Sequence, residues 1–325
     1  MKIAVTGANG HVGFNLCQRL LELGHHVNAL SHTHNNAIKN LPVNLIKGDL
    51  LDRNSLNSFL RGMDVVFHLA AKISISGDPD GMVHRINTEG TQNLLESIIQ
   101  FKVGKLIHFS SIHAFQQEPM TEVLDETRPL VEQGFAYDVS KAIGERYVLE
   151  FIQKGLNAVI LCPTAIIGPA DPQPSLVGKA VIQLYHQQIP TLIPGGYDWV
   201  DVRDVVEAAI NAIELGRKGE KYLLSGHWHS LQEFSSIIGQ VTGTKTIRTI
   251  LPFWIAQIGL PFIHLYSRLT GNEPLYTKES LEILAKGNRH IFHQKAKHEL
   301  HHQPRPLKSS VADLFKWFQL NGYIK

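Results

Sequence analysis

The sequence predicts an α/β fold: a doubly wound parallel sheet with a smaller, mostly helical C-terminal lobe. Two observations lead there. Short apolar runs alternate with helical patterns through the first half of the chain, and the runs are continuously apolar. Such runs mark strands covered on both faces, as in a parallel sheet. The first run, KIAVTG, also ends in glycines that open directly into a helical pattern. Right-handed crossovers then place the strands in one doubly wound sheet.

The elements follow in order. His11–Leu23 carries Val12, Leu16, Leu20 and Leu23 on one side, the spacing of a helix. His26–Leu30, Val43–Ile46 and Asp64–Leu69 are the next three strands. Val83–Ile99 is helical, Lys105–Phe109 is the fifth strand, Tyr137–Gln153 is a long helix and Ala158–Leu161 a further strand. After Gly168-Pro169 the pattern changes to a turn-rich insertion. Helices over Val177–His186 and Val205–Leu215 and a strand over Lys221–Leu224 come next. The expected division is a dinucleotide-type domain over 1–167 and a substrate-covering lobe over 168–325, with 200–226 returning to the first domain.

Composition narrows the functional classes. The 325 residues are 43% hydrophobic and 18% charged, which is globular. A net charge of +2 leaves no strong field for nucleic acid or membrane. Two cysteines, Cys17 and Cys162, form neither a metal spacing nor a disulfide framework, and MKIAVTGANG lacks an apolar leader core. A cytoplasmic setting is the expectation. The 18 histidines are scattered, and His298/His301/His302 reads as a solvated cluster rather than a metal site. Leu251–Leu269 has no charge before Arg268, but its two prolines and marginal length favour an amphipathic or buried helix over a membrane span.

Thr6-Gly7-Ala8-Asn9-Gly10-His11-Val12-Gly13 gives G-x-x-G-x-x-G between strand and helix. Gly7 permits a tight turn, Gly10 a close approach to a pyrophosphate, and Gly13 close helix–strand packing. The helix N-terminus offers free N–H groups and partial positive charge to phosphates. The second strand ends Ser31-His32 with no carboxylate and no arginine. Both residues can donate to a 2′-phosphate, which places NADP ahead of NAD; the other reading makes the histidines plain surface residues.

These residues resemble the extended short-chain dehydrogenase/reductase family, with its nucleotide-sugar epimerases, dihydroflavonol reductases and 3β-hydroxysteroid dehydrogenases. TGANGHVG is similar to its TGxxGxxG turn, Gly48-Asp49-Leu50 to its GDL step, and His68-Leu69-Ala70-Ala71 to its HLAA. Asn87 matches an N-x-x-GT helix, Phe109-Ser110-Ser111 the strand-five serine, and AYDVSK, with Tyr137 and Lys141, the YxxxK pair. PTAIIGP, with Pro163 and Ile166, and WVDVRDV match later landmarks. The motifs run in family order over nearly the whole chain.

The resemblance implies a Rossmann fold with NADP or NAD held by the Thr6–Gly13 turn, His32, Asp49, Leu50, Leu69, Ala70, Ala71, Pro163 and Ile166. It implies Tyr137 as proton donor, Lys141 on the nicotinamide ribose, Ser111 on the substrate oxygen and Asn87 acting through a bound water. Lys141, four residues on, shares the face of Tyr137 and is expected to lower its pKa from near 10. A homodimer is a family habit.

Departures from the family pattern narrow the reaction. Ile112 and His113 stand where dehydratases carry Asp-Glu. Ala165 and Cys162 stand where epimerases carry Asn and Arg, and Tyr197-Asp198-Trp199 replaces their diphosphate arginine. Ile112, Phe115, Phe135, Ile167 and Trp199, with the Leu251–Leu269 helix, are candidate apolar walls or core. The expected function is NAD(P)-dependent reduction of a ketone or aldehyde, or the reverse oxidation, on a small hydrophobic substrate. The alternatives are a nucleotide-sugar epimerase with retained NAD and a non-catalytic NAD(P) sensor.

Overall fold

The computed structural model describes residues 1–32, 37–260 and 276–325. The strands are β1 (Lys2–Thr6), β2 (His26–Ser31), β3 (Asn44–Lys47), β4 (Val65–His68), β5 (Lys105–Phe109), β6 (Ala158–Pro163), β7 (Ala165–Ile167), β8 (Gly196–Asp201), β9 (Lys221–Leu224) and β10 (His227–Ser230). The helices up to residue 242 are α1 (His11–Glu22), α2 (Leu56–Leu60), α3 (Met82–Asn87), α4 (Glu89–Gln100), α5 (Ala136–Gln153), α6 (Leu176–Tyr185), α7 (Val202–Glu214) and α8 (Leu231–Thr242).

Seven strands form one sheet in the order β3-β2-β1-β4-β5-β6-β9, every neighbour parallel. This is the doubly wound Rossmann arrangement the apolar runs predict, and β9 does return to the main sheet. A second sheet, β10-β8-β7, stands beside it. Strands β1, β4 and β5 each send alternate residues to two cores. Val5, Phe67 and Ile107 join one that contains residues of α1 and α7; Ala4, Val66 and Leu106 join one that contains residues of α2, α4 and α5. Both faces need apolar side chains, so the strands read as unbroken apolar runs. A third core gathers α6, α8 and the C-terminal helix Leu307–Leu320 around β7 and β8.

The predicted helix over Val83–Ile99 is two helices, broken at Thr88. The Thr88 hydroxyl donates to the His84 carbonyl at 2.7 Å, competing with the backbone for it. The other element ends differ from the prediction by three residues or fewer.

His302 corrects the solvated reading of its cluster. It is 1% exposed, its Nε2 meets the Ser225 carbonyl at 2.8 Å, and its N–H caps the helix Gln294–Leu300 at Ala296 O. His301 adopts φ 56°, which turns the chain inward there. Among the described residues no cluster could hold a metal and no helix is long and apolar enough to cross a membrane. Residues 253–260 are helical, with Trp254 and Ile258 exposed; residues 261–269 of the apolar segment lie outside the described residues.

Candidate active site

The predicted site residues come from the C-terminal ends of parallel strands, the edge where doubly wound sheets bind ligands. Thr6 ends β1, His68 ends β4, Ser110-Ser111 follow β5, Pro163 ends β6 and Ile166 lies in β7. Helix α5 brings Tyr137 and Lys141 to the same edge.

The glycine turn packs as its spacing demands. Gly7 has φ 72°, and a Cβ there would sit 2.7 Å from Ala70 N, so the turn lies directly on the Leu69-Ala70-Ala71 segment. A Cβ on Gly13 would collide with the Gly7 carbonyl. Gly10 is exposed, and a Cβ there would meet nothing nearer than Gly7 O at 3.4 Å. Its open face, unlike that of the other two, is left to a ligand. Among the described residues the His11 and Val12 amides have no backbone partner, and α1 has no side-chain cap. Open amides over an exposed glycine fit a pyrophosphate.

Several predicted residues at this end are engaged or buried within the fold. Thr6 is fully buried behind the turn; its Oγ1 lies 2.8 Å from His68 Nδ1 and accepts from Ala70 N. The Asn9 side-chain Oδ1 accepts from Ala37 N, and His11 Nε2 reaches the Pro169 carbonyl at 3.0 Å. Asn15 also donates to Pro169 O and Ala170 O, so α1 is tied to the 169–170 loop. The Thr6 hydroxyl, Asn9 Oδ1 and His11 Nε2 are thus engaged within the fold. Leu50 is 6% exposed and belongs to the core. At the adenosine end, His32 Nε2 lies 3.1 Å from Asp49 Oδ2, and Asp49 Oδ1 accepts from Leu51 N.

At the other end, Ser111 accepts a hydrogen bond from His113 N at 3.2 Å, and its side chain lies close enough to the Tyr137 phenol to lower its pKa. Lys141 is 6% exposed and donates to the Phe109 carbonyl at 2.6 Å, holding the end of β5. Glu145, a further turn along α5, is fully buried. It accepts from Ser110 Oγ and pairs with Lys221 Nζ of β9 at 2.6 Å. His68 and His108 pack together beside Lys141, with ring centres 5.3 Å apart.

Electrostatics corrects one expectation. The Tyr137 pKa is not lowered: burial raises it to about 12, and the neighbouring Ser111 hydroxyl offsets only part of this. Burial likewise brings Lys141 down to about 8. A desolvated phenol resists ionising and a desolvated amine resists protonation. Burial also takes His68 to about 3 and His113 to about 4, while Asp138, buried beside Glu279, rises to about 7.

Asn87 also differs from expectation. Its Oδ1 accepts from Lys72 N, and its Nδ2 donates to Lys72 O and Ser140 Oγ. With both amide hydrogens in use, it staples the segment after β4 to α5 instead of presenting a water to Tyr137. Ile112, Phe115, Ile167 and Trp199 are 6% exposed or less and belong to the cores; Trp199 stacks on Phe234 at 4.4 Å. Of the five single-residue candidate walls, only Phe135 is half-buried.

Sequence reasoning missed Glu145, Asp138, Ser140 and Glu279. Glu145 sits four residues past Lys141, on the same helical face, which is a usable signal. Asp138 lies inside AYDVSK itself.

The chain matches the model of the NAD dependent epimerase/dehydratase family over residues 3–225. It is 30% identical over the full length of both chains to "Sterol demethylase protein B" of Methylococcus capsulatus. It is 29% identical to a "Putative dihydroflavonol 4-reductase" of Synechocystis, over 99% of this chain and 95% of that one. The crystal structure of gox2253 superposes with a TM-score of 0.85 at 32% identity over 99% of each chain. UDP-glucose 4-epimerase of Thermotoga maritima superposes with a TM-score of 0.79 at 21% identity, which shows a shared fold.

Proposed function

The chain belongs to the NAD-dependent epimerase/dehydratase family and is an enzyme of the extended short-chain dehydrogenase/reductase type; from that premise we propose that it reduces the carbonyl of a small, largely apolar substrate, or oxidises the matching alcohol. The observation that carries the proposal is the placement of Ser111 beside Tyr137 at the end of β5, with Lys141 one turn away. A bound nicotinamide would supply or accept the hydride. The glycine turn and the open α1 amides would hold its pyrophosphate.

In reduction, Tyr137 transfers its phenolic proton to the carbonyl oxygen as hydride reaches the carbon. Ser111 holds that oxygen and steadies the charge developing on it. A tyrosine near 12 stays protonated throughout the neutral range, which suits a donor. Lys141 supplies positive charge below its pKa of about 8 and anchors the strand that carries Ser111. The relatives named reductases, among them "2-alkyl-3-oxoalkanoate reductase" of Stenotrophomonas maltophilia at 33% identity over 65% of this chain, support this direction. The His32–Asp49 pair offers an acceptor to a ribose hydroxyl as well as a donor to a phosphate, so NAD and NADP both enter the assay.

The test is a panel of ketones and alcohols with each nucleotide. Exchangeable nucleotide and carbonyl-dependent NAD(P)H consumption are expected. NAD retained through purification, with no carbonyl turnover, would point to an epimerase.

A further inference from the structure

Beside Tyr137 stand two polar side chains that the reduction does not use. His113 belongs to the short 3-10 helix Ile112–Ala114, which Ser111 caps. Its ring lies edge-on to Tyr137 with centres 6.3 Å apart. Asp138 follows Tyr137 on α5, and its Oδ1 is 3.7 Å from His113 Nδ1, too far for a hydrogen bond. The two side chains are 29% and 17% exposed. Among the described residues, neither the His113 ring nor the Asp138 carboxyl has a hydrogen-bond partner. Groups that have lost most of their water and gained no partner are costly, and a ligand that satisfies them is favoured.

The signs of charge narrow that ligand. Glu279, from the first turn of the helix Lys278–Lys286, lies beside Gly77 and close enough to raise the Asp138 pKa. Among the described residues neither acid pairs with a lysine or arginine. A carboxylate would meet two acids and a neutral imidazole. A hydroxyl can donate to the carboxyl and also meet the imidazole.

We propose that His113 and Asp138 form a subsite for a hydroxyl on the atom next to the reacting carbon, and that Asp138 and Glu279 together exclude a carboxylate there. The inference rests on carbonyl reduction at Tyr137 and specifies its substrate class: hydroxy ketones over plain ketones, and plain ketones over keto acids.

The test compares kcat/KM for acetophenone, α-hydroxyacetophenone and benzoylformate, which share one phenyl ketone skeleton, with NADPH and NADH. The wild type is expected to prefer the hydroxy ketone over acetophenone by about tenfold or more, with benzoylformate last. Asp138→Leu should bring the hydroxy-to-plain ratio towards one. The nearly isosteric Asp138→Asn should keep that ratio and admit benzoylformate. Equal wild-type rates for the three ketones, or a hydroxyl preference that survives both Asp138→Leu and His113→Phe, would overturn the subsite. No turnover of any ketone with either nucleotide would instead overturn the carbonyl-reduction reading, and the subsite with it.

Discussion

Helix α5 has two polar faces that contrast sharply. On the face towards the protein, three side chains are paired: Ser140 accepts from Asn87, Lys141 donates to Phe109 O, and Glu145 joins Ser110 to Lys221. At the other corner, the Tyr137 phenol stands beside Ser111, and it, Asp138 and the His113 ring have no side-chain hydrogen bond among the described residues. Both sets are desolvated, yet only the first is paired. Paired groups fix geometry, while unpaired ones keep capacity for a ligand. The inward face thus aims Ser111 and Tyr137, and the outward corner meets the substrate.

The contrast can be broken on the inward side first, where effects on stability are largest. Glu145→Leu leaves the Lys221 ammonium without its carboxylate and should cost about 3–5 kcal/mol, read by urea unfolding. Asn87→Ala orphans Lys72 N and should cost about 1–3 kcal/mol, with kcat falling because Ser140 and the first turn of α5 lose their staple. A surface-like loss of a few tenths would show the inward face to be incidental.

Sequence made this contrast only partly legible. The glycine turn and the strand order were readable because backbone constraints and two-faced burial dictate residue type locally. Tyr137 and Lys141 were readable from their four-residue spacing. Burial by distant segments was not: the upward shift of Tyr137, the enclosure of His302 by Ser225, and the absorption of Phe115 and Trp199 into cores all depend on elements far away in sequence. The engagement of Asn87 also needed the segment after β4 and α5 placed side by side.

Smaller effects come from pH. His68 is 2% exposed, and its folded pKa of about 3 lies below the unfolded value near 6.5. The unfolded chain therefore binds the proton first on acidification. Stability is complete above about 6.5 and falls by roughly 1.4 kcal/mol per pH unit below it from this residue. Denaturant midpoints from pH 7 to 5 check this. On the catalytic side, the positive charge of Lys141 is lost as pH rises through about 8, so the reduction rate should decline above that value. A flat profile from pH 7 to 10 would remove Lys141 from charge balance and leave it a strand anchor.

The most direct test of Tyr137 as proton donor is Tyr137→Phe, with NAD(P)H-dependent carbonyl turnover and nucleotide affinity measured on the same preparation. Loss of turnover by about a thousandfold or more, with nucleotide affinity within a few-fold of wild type, is the predicted result. Normal turnover by the phenylalanine variant would contradict it.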